Sequence, residues 1–222
     1  MTAPLLGEPS PKRKSASHGE AGYARNARDA YFTEPWVTRA LLKAADLSLP
    51  PSWSLADCLV WEPACGDGRM AAEIAKTGHP VLCSDIHDYG FPGTAILDFI
   101  RDPAPAEWAS PTGVAAAIVT NPPFDLAPDF IHRGLALTQP NRGKVAILQR
   151  HEFDAPRANW PLFQPPFAAK LILHKRPRWS TEDKASPRFP YAWYLWDWRH
   201  RGDPIIRWLG DPDGPAGQGA LL

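Results

Sequence analysis

The chain has 222 residues, enough for one domain with a sizeable core, and 44% of them are hydrophobic. No apolar run reaches membrane-spanning length and no signal-peptide stretch opens the chain, so a cytoplasmic protein with no membrane partner is expected. The three cysteines lack CxxC spacing, which speaks against a disulfide or zinc framework, and the formal net charge of zero speaks on its face against nucleic acid.

The distribution of charge is less neutral than its sum. From Tyr23 to Phe130 there are 7 Lys/Arg against 14 Asp/Glu; from Arg133 to Arg207 there are 14 against 6. An acidic first half followed by a basic second half suits a basic wall facing phosphates, with scattered solvated charge as the bland alternative.

Residues 1–22 hold Pro, Ser, Gly and Lys with few large apolar side chains and read as a disordered basic tail. Residues 23–210 read as one domain, and the Gly/Pro-rich 211–222 as a flexible tail. Near the start of the domain, Thr33, Glu34 and Pro35 carry helix-start chemistry. Trp36, Val37, Ala40, Leu41 and Ala44 then fall at helical spacing.

The apolar run Cys58 to Trp61 ends in Glu62-Pro63-Ala64-Cys65-Gly66-Asp67-Gly68 and enters an Ala-rich helical segment, predicted over Ala71 to Lys76. Strand, glycine turn and helix is the layout of a nucleotide-type site. Gly66, Gly68 and Ala71 match G-x-G-x-x-G/A, and Asp85 ends the next apolar strand about 20 residues on, where a ribose-binding acid belongs. Glu62 and Asp67, however, bring negative charge to the turn, which repels a diphosphate and attracts a cation. S-adenosyl-L-methionine, with its sulfonium and ammonium, suits such a loop better than a dinucleotide does.

Ala95 to Ile100 reads as a third strand and Val114 to Thr120 as a fourth, which delivers Asn121-Pro122-Pro123-Phe124. An Asn-Pro surface turn is the plain reading of that tetrad. Asp125 then caps a helix with Phe130, Ile131, Gly134 and Leu135 on one face, and Lys144 to Gln149 is a fifth strand. The alternation of strand and helix predicts a parallel α/β sheet. Ala169 to His174 and Tyr191 to Trp198 follow as further strands, with Trp193, Trp196 and Trp198 read as packing residues.

The glycine loop followed by Asn121-Pro122-Pro123-Phe124 resembles the S-adenosylmethionine-dependent amino-group methyltransferases, most closely the adenine-N6 DNA methyltransferases of small bacterial or phage type. The resemblance implies a Rossmann-like class I methyltransferase: a mostly parallel seven-stranded sheet with a terminal antiparallel hairpin. It implies that Asn121 and the Pro122 carbonyl accept from the target amino group, that Pro123 fixes the backbone, and that Phe124 stacks on the target base. It places Tyr31, Phe32 and Thr33 over the methionine part of the cofactor, although Glu34 is an insertion relative to the family pattern. Glu62, Pro63, Ala64, Gly66, Gly68 and Asp85 would hold the cofactor, with Asp98 accepting from its adenine amino group and Phe99 or Ile100 packing on the ring. Asp98 equally suits a strand-end cap.

Arg157, Arg176, Arg178 and Trp179, with Trp160, combine cationic and aromatic surface suited to DNA, or to RNA. The segment after the fifth strand is too short for a large separate recognition domain. No metal site is expected. Methylation of an RNA base amino group or of a protein glutamine is the nearest alternative, and a non-catalytic cofactor-binding protein is the alternative of another class.

Overall fold

The computed structural model describes residues 32–46, 54–56, 58–108, 115–178 and 189–214. Tyr31, Trp179, residues 1–22 and most of the predicted C-terminal tail lie outside the described residues.

Five strands run parallel: β1 (Cys58–Glu62), β2 (Val81–Asp85), β3 (Ala95–Ile96), β4 (Ala115–Thr120) and β5 (Lys144–Arg150), in spatial order β3-β2-β1-β4-β5. Three more follow: β6 (Phe167–Leu173), β7 (Tyr191–Asp197) and β8 (Ile205–Leu209). β7 inserts antiparallel between β5 and β6, which is the predicted terminal hairpin. β8 runs parallel to β6 at the edge, so the sheet has eight strands and not the expected seven. The extra strand follows from Ile205-Ile206-Arg207-Trp208-Leu209, a β-branched and aromatic run that pairs along its whole length, from Ala169↔Ile205 to Leu173↔Leu209.

Both faces of the sheet are covered, which is why its strands are near-continuous apolar runs rather than alternating ones. Val60, Ala117, Ala146 and Leu148 face helix α1 (Pro35–Asp46), whose Val37, Ala40, Leu41 and Ala44 form the predicted stripe. Trp61, Ile118, Val145 and Ile147 face helix α3 (Ala127–Thr138) through Phe130 and Ile131. Three large indoles are core, and each finds an acceptor: Trp193 Nε1 donates to the Val37 carbonyl at 3.1 Å, Trp196 Nε1 to the Leu162 carbonyl at 2.7 Å, and Trp61 Nε1 to Ser84 Oγ at 3.0 Å.

Two local expectations are corrected. The third strand ends at Ile96, because Asp98 Oδ1 takes the amides of Ile100 and Arg101 and turns the chain. Asp125 does not cap α3; it lies inside a 3-10 turn, Phe124–Leu126, and the position before the helix is Leu126, with no side-chain cap bond.

The sheet order reverses between β1 and β4, a topological switch point. Strand directions bring the carboxyl ends of β1, β2, β4, β5 and β6 to one edge, together with the amino end of β7. The glycine loop, the Asn-Pro-Pro-Phe segment, the loop after β5 and the basic loop after β6 therefore share that edge. Among the described residues, no helix is long and apolar enough to cross a membrane.

Candidate active site

After β1 the backbone turns through two left-handed glycines, Gly66 at φ 53° and Gly68 at φ 79°. A Cβ on Gly68 would lie 2.1 Å from the Phe91 ring, and one on Gly66 2.9 Å from Phe32. Glycine is thus required twice over, by conformation and by close approach. Gly68 stands directly before helix α2 (Arg69–Ala75).

This loop borders a cavity of about 640 Å³ that also takes in Phe32, Thr33, Asp85, Asp98, Phe99 and Asn121. Its volume is that of a small-molecule site. Six carboxylates line it (Glu62, Asp67, Asp85, Asp98, Asp125, Asp129) against two guanidiniums, Arg69 and Arg101. Both guanidiniums are already engaged, Arg69 with Asp67 at 2.7 Å and Arg101 with Asp98 at 3.3 Å. The remaining excess is acidic, which fits a cationic ligand and opposes a diphosphate.

Glu62 is 2% exposed, and its Oε2 has no hydrogen-bond partner among the described residues. Burial pushes its carboxyl well above the usual range, helped by Cys65, Asp85 and Asp67, while the Ala71 amide pulls the other way. An orphaned buried carboxylate oxygen on a cavity wall is an acceptor awaiting a donor. Asp85 is differently placed: Oδ2 accepts the Gly66 amide at 2.9 Å and Oδ1 the His87 amide at 3.1 Å, so it fixes the glycine turn from the end of β2. Asp98 borders the cavity while capping its own turn. Phe99 is buried, its ring edge-on to Trp61 at 5.1 Å and tilted against Phe130 at 4.8 Å.

Cys65 also lines the cavity, with Sγ 3.5 Å from Thr94 Oγ1. A hydrogen bond with Cys83 holds its thiol below the usual value, and the same bond, with burial, pushes Cys83 up. Both cysteines are free thiols.

The Asn-Pro-Pro-Phe segment leaves the end of β4. Asn121 and Pro123 line the cavity, and Asn121 Nδ2 donates to Thr33 Oγ1 at 3.1 Å. Pro122 is buried beside them. The Phe124 ring points elsewhere, 5.8 Å from Tyr191 and beneath the Arg150 guanidinium. The inserted Glu34 has a structural reason: its Oε2 accepts Trp36 Nε1 at 3.0 Å and the Arg178 amide at 2.7 Å, tying the basic loop to the segment that holds Asn121.

Arg176 and Arg178 lie exposed after β6, on the site's edge of the sheet, while Arg157 lies exposed at the start of a 3-10 segment, Arg157–Phe163, within the crossover from β5 to β6. Part of the second half's positive charge is neutralised internally, by Lys170–Asp154 at 2.7 Å and Lys175–Asp211 at 2.8 Å.

Sequence reasoning missed the loop after β2. Tyr89 stands edge-on to Phe32 at 5.5 Å, His87 lies 6.1 Å from Tyr89, and the Arg69 guanidinium covers the other part of Phe32 at 5.7 Å. Two aromatics inside the turn-rich Tyr89-Gly90-Phe91-Pro92-Gly93 were the available sign.

Neither a protein-family model nor any curated protein matches the chain in sequence. Solved structures do match in fold. A protein assigned as a class I S-adenosylmethionine-dependent methyltransferase from Listeria monocytogenes aligns with TM-score 0.58 at 12% identity, over 83% of this chain and 67% of that one. The Type IIL restriction-modification enzyme MmeI, in complex with DNA, aligns with TM-score 0.52 at 11% identity, over 85% of this chain and 36% of its own. A protein assigned as an RNA methyltransferase from Pyrococcus horikoshii aligns with TM-score 0.50 at 14% identity, over 72% and 81%. The chain thus has the Rossmann-like fold of class I methyltransferases, with an eighth strand on the hairpin edge.

Proposed function

We propose that this protein is an S-adenosylmethionine-dependent methyltransferase acting on the exocyclic amino group of adenine in DNA. The observation that carries the reading is the placement of Asn121, at the end of β4, on the wall of the acidic cavity formed by the glycine loop. The likeness in fold to MmeI, which is seen with DNA, supports the nucleic-acid side of the reading.

The residues fit the cofactor. Glu62 supplies a buried acceptor for a cationic group, the left-handed Gly66 and Gly68 give the loop its tight turn beside the cavity, and Asp85 offers carboxylate lone pairs for ribose hydroxyls. Pro63, Ala64, Asp98 and Phe99 complete the wall. When bound, the cofactor supplies an electrophilic methyl group on a sulfonium.

An adenine amino nitrogen is a weak nucleophile because its lone pair is delocalised into the ring. Asn121 and the Pro122 carbonyl act on its hydrogens as acceptors, favouring the pyramidal nitrogen. Asn121 Nδ2 donates to Thr33 Oγ1, an arrangement in which Oδ1 is the accepting end of the amide. Pro122 and Pro123 cannot donate, so the segment presents carbonyls on a stiff backbone. Acceleration rests on in-line positioning and electrostatic fit rather than on a general base. Phe124 offers a π-face to a base withdrawn from its stack. Arg157, Arg176 and Arg178 bind phosphates around it, with Trp179 as an added stacking surface.

The test is transfer of tritiated methyl to separate DNA, RNA and protein pools, with recovery of methyladenine from the DNA. Labelling of RNA or protein alone refutes the DNA reading, and cofactor binding without transfer to any pool refutes the enzyme. Asn121→Ala should retain cofactor affinity and lose most transfer. Equal loss of both would return the tetrad to a structural turn.

A further inference from the structure

Arg150 ends β5 on the same edge as Asn121, and its Nε is buried without a hydrogen-bond partner among the described residues. The preceding Gln149, 2% exposed, has Oε1 3.3 Å from the Arg150 amide, while its own Nε2 is also unpaired. Buried polar nitrogens are normally paired, so their clustering at one strand end marks a place completed by something else. No carboxylate pairs with Arg150 among the described residues. Its guanidinium instead lies over two rings, 5.6 Å from the Phe124 centroid and 4.2 Å from that of Phe189.

We infer that Arg150 is the second wall of the target-base slot: the base enters between the Phe124 ring and the guanidinium, which stays backed by Phe189. This rests on the nucleobase reading above. A stacked base needs ~3.5–4 Å to each neighbour, so about 7–8 Å between Phe124 and the guanidinium. The present 5.6 Å falls short of that by about 2 Å, a shift within reach of a long side chain. Phe189 is 37% exposed and has room to yield with it. A guanidinium suits the task because it is planar, delocalised and weakly hydrated, and stacks on π-systems; an ammonium does not. The N–H donors of Arg150 lie in the guanidinium plane, parallel to a stacked base, and so point to acceptors at the rim of the slot and not to the base itself.

The test uses the full chain and heat-denatured genomic DNA, with steady-state kinetics across salt concentrations. Arg150→Ala should raise KM for DNA about tenfold, with kcat reduced less than threefold and cofactor affinity within twofold of the wild type. Arg150→Lys should recover little of this, and Phe189→Ala should raise KM in the same direction. The salt slope of log KM should match the wild type, because stacking releases no counterion. A slope lowered by about one in Arg150→Ala makes Arg150 a phosphate contact and overturns the slot. So does an unchanged KM, or full recovery by Arg150→Lys. Wild-type protein that methylates only RNA or protein fails at the earlier step and refutes the substrate reading itself.

Discussion

Asn121 and Thr33, 88 residues apart, are joined by a 3.1 Å hydrogen bond in which the Asn121 amide donates and the Thr33 hydroxyl accepts. Thr33 is buried, so the bond lies largely out of solvent. Thr33→Val keeps the shape and removes the acceptor, at about 0.5–1.5 kcal/mol. The expected outcome is a fall of roughly 3–10-fold in methyl transfer, the same energy expressed as a rate, with cofactor affinity little changed. Thr33→Ser should restore transfer. Single-turnover kinetics beside calorimetry separates the two quantities.

Glu62 makes a pH prediction of definite sign. Its folded carboxyl titrates well above the usual carboxylate range, so the protonated form is favoured in the folded protein without cofactor. The contribution to stability is fully present below the unfolded value and is lost as pH rises from there through the raised folded value. Glu62→Gln should therefore raise the Tm of the cofactor-free protein at neutral pH and flatten its pH dependence. Cation binding favours the ionised form, so wild-type cofactor affinity should rise with pH over the same window. The variant should bind about tenfold or more weakly, ~1.4 kcal/mol, without that rise. Thermal scans and calorimetry across pH check both halves; a lower Tm in Glu62→Gln removes the desolvation argument.

Gly68 combines a left-handed φ of 79° with the Phe91 ring lying where a Cβ would go. Gly68→Ala should cost roughly 1–2 kcal/mol from backbone conformation alone, with steric overlap added. Phe91→Ala in the same chain should relieve the overlap and leave the conformational part. Denaturant unfolding of the two single variants and the double variant gives the coupling directly. Additive losses would mean that Phe91 does not pack over the turn.

Asp85→Asn tests the far side of the glycine loop. The carboxylate accepts the Gly66 and His87 amides, one on each oxygen, and an amide nitrogen cannot accept. Loss of a charge-assisted bond of ~1.5–3 kcal/mol should weaken cofactor binding by about ten- to a hundredfold. Unchanged affinity in calorimetry would remove Asp85 from both the turn and the cofactor.

Arg176 and Arg178 test the basic wall. Arg178 meets Glu34 through its backbone amide, so replacing its side chain leaves that tie in place. Replacing both with Ala should flatten log affinity for DNA against log salt by about two, one per lost phosphate contact. Cofactor affinity should hold. An unaltered slope would assign these charges to solvent.

What could be read from the sequence was what is written locally. Glu62 to Gly68 and Asn121 to Phe124 are short segments whose geometry is set by their own Gly and Pro, and they stand at the predicted strand ends. The core stripes of α1 and α3 were equally plain, since periodicity is a local property. Interactions set by distant partners were not legible: the Thr33–Asn121 bond, the Arg150 guanidinium over Phe124 and Phe189, and Tyr89 against Phe32. β8 was missed for another reason. Its Ile205 to Leu209 run follows Gly202-Asp203-Pro204, an adequate strand sign, but the family pattern stops at the hairpin. Asp98 shows the remaining gap: its residue type suited a ligand and a cap alike, and only the bonds to Ile100 and Arg101 reveal the cap.

Glu34 has a consequence for anyone moving parts of this fold. With one carboxylate oxygen it holds both the Trp36 indole and the Arg178 amide, and Lys175 in turn lies over the Trp36 ring at 5.0 Å. Residues 174–178 after β6 and the chain entering α1 are thus held together, although Glu34 and Arg178 are 144 residues apart. A loop transplanted alone would arrive without its acceptor and without the ring beneath its lysine. Carried together with Glu34 and Trp36, residues 174–178 would keep both contacts.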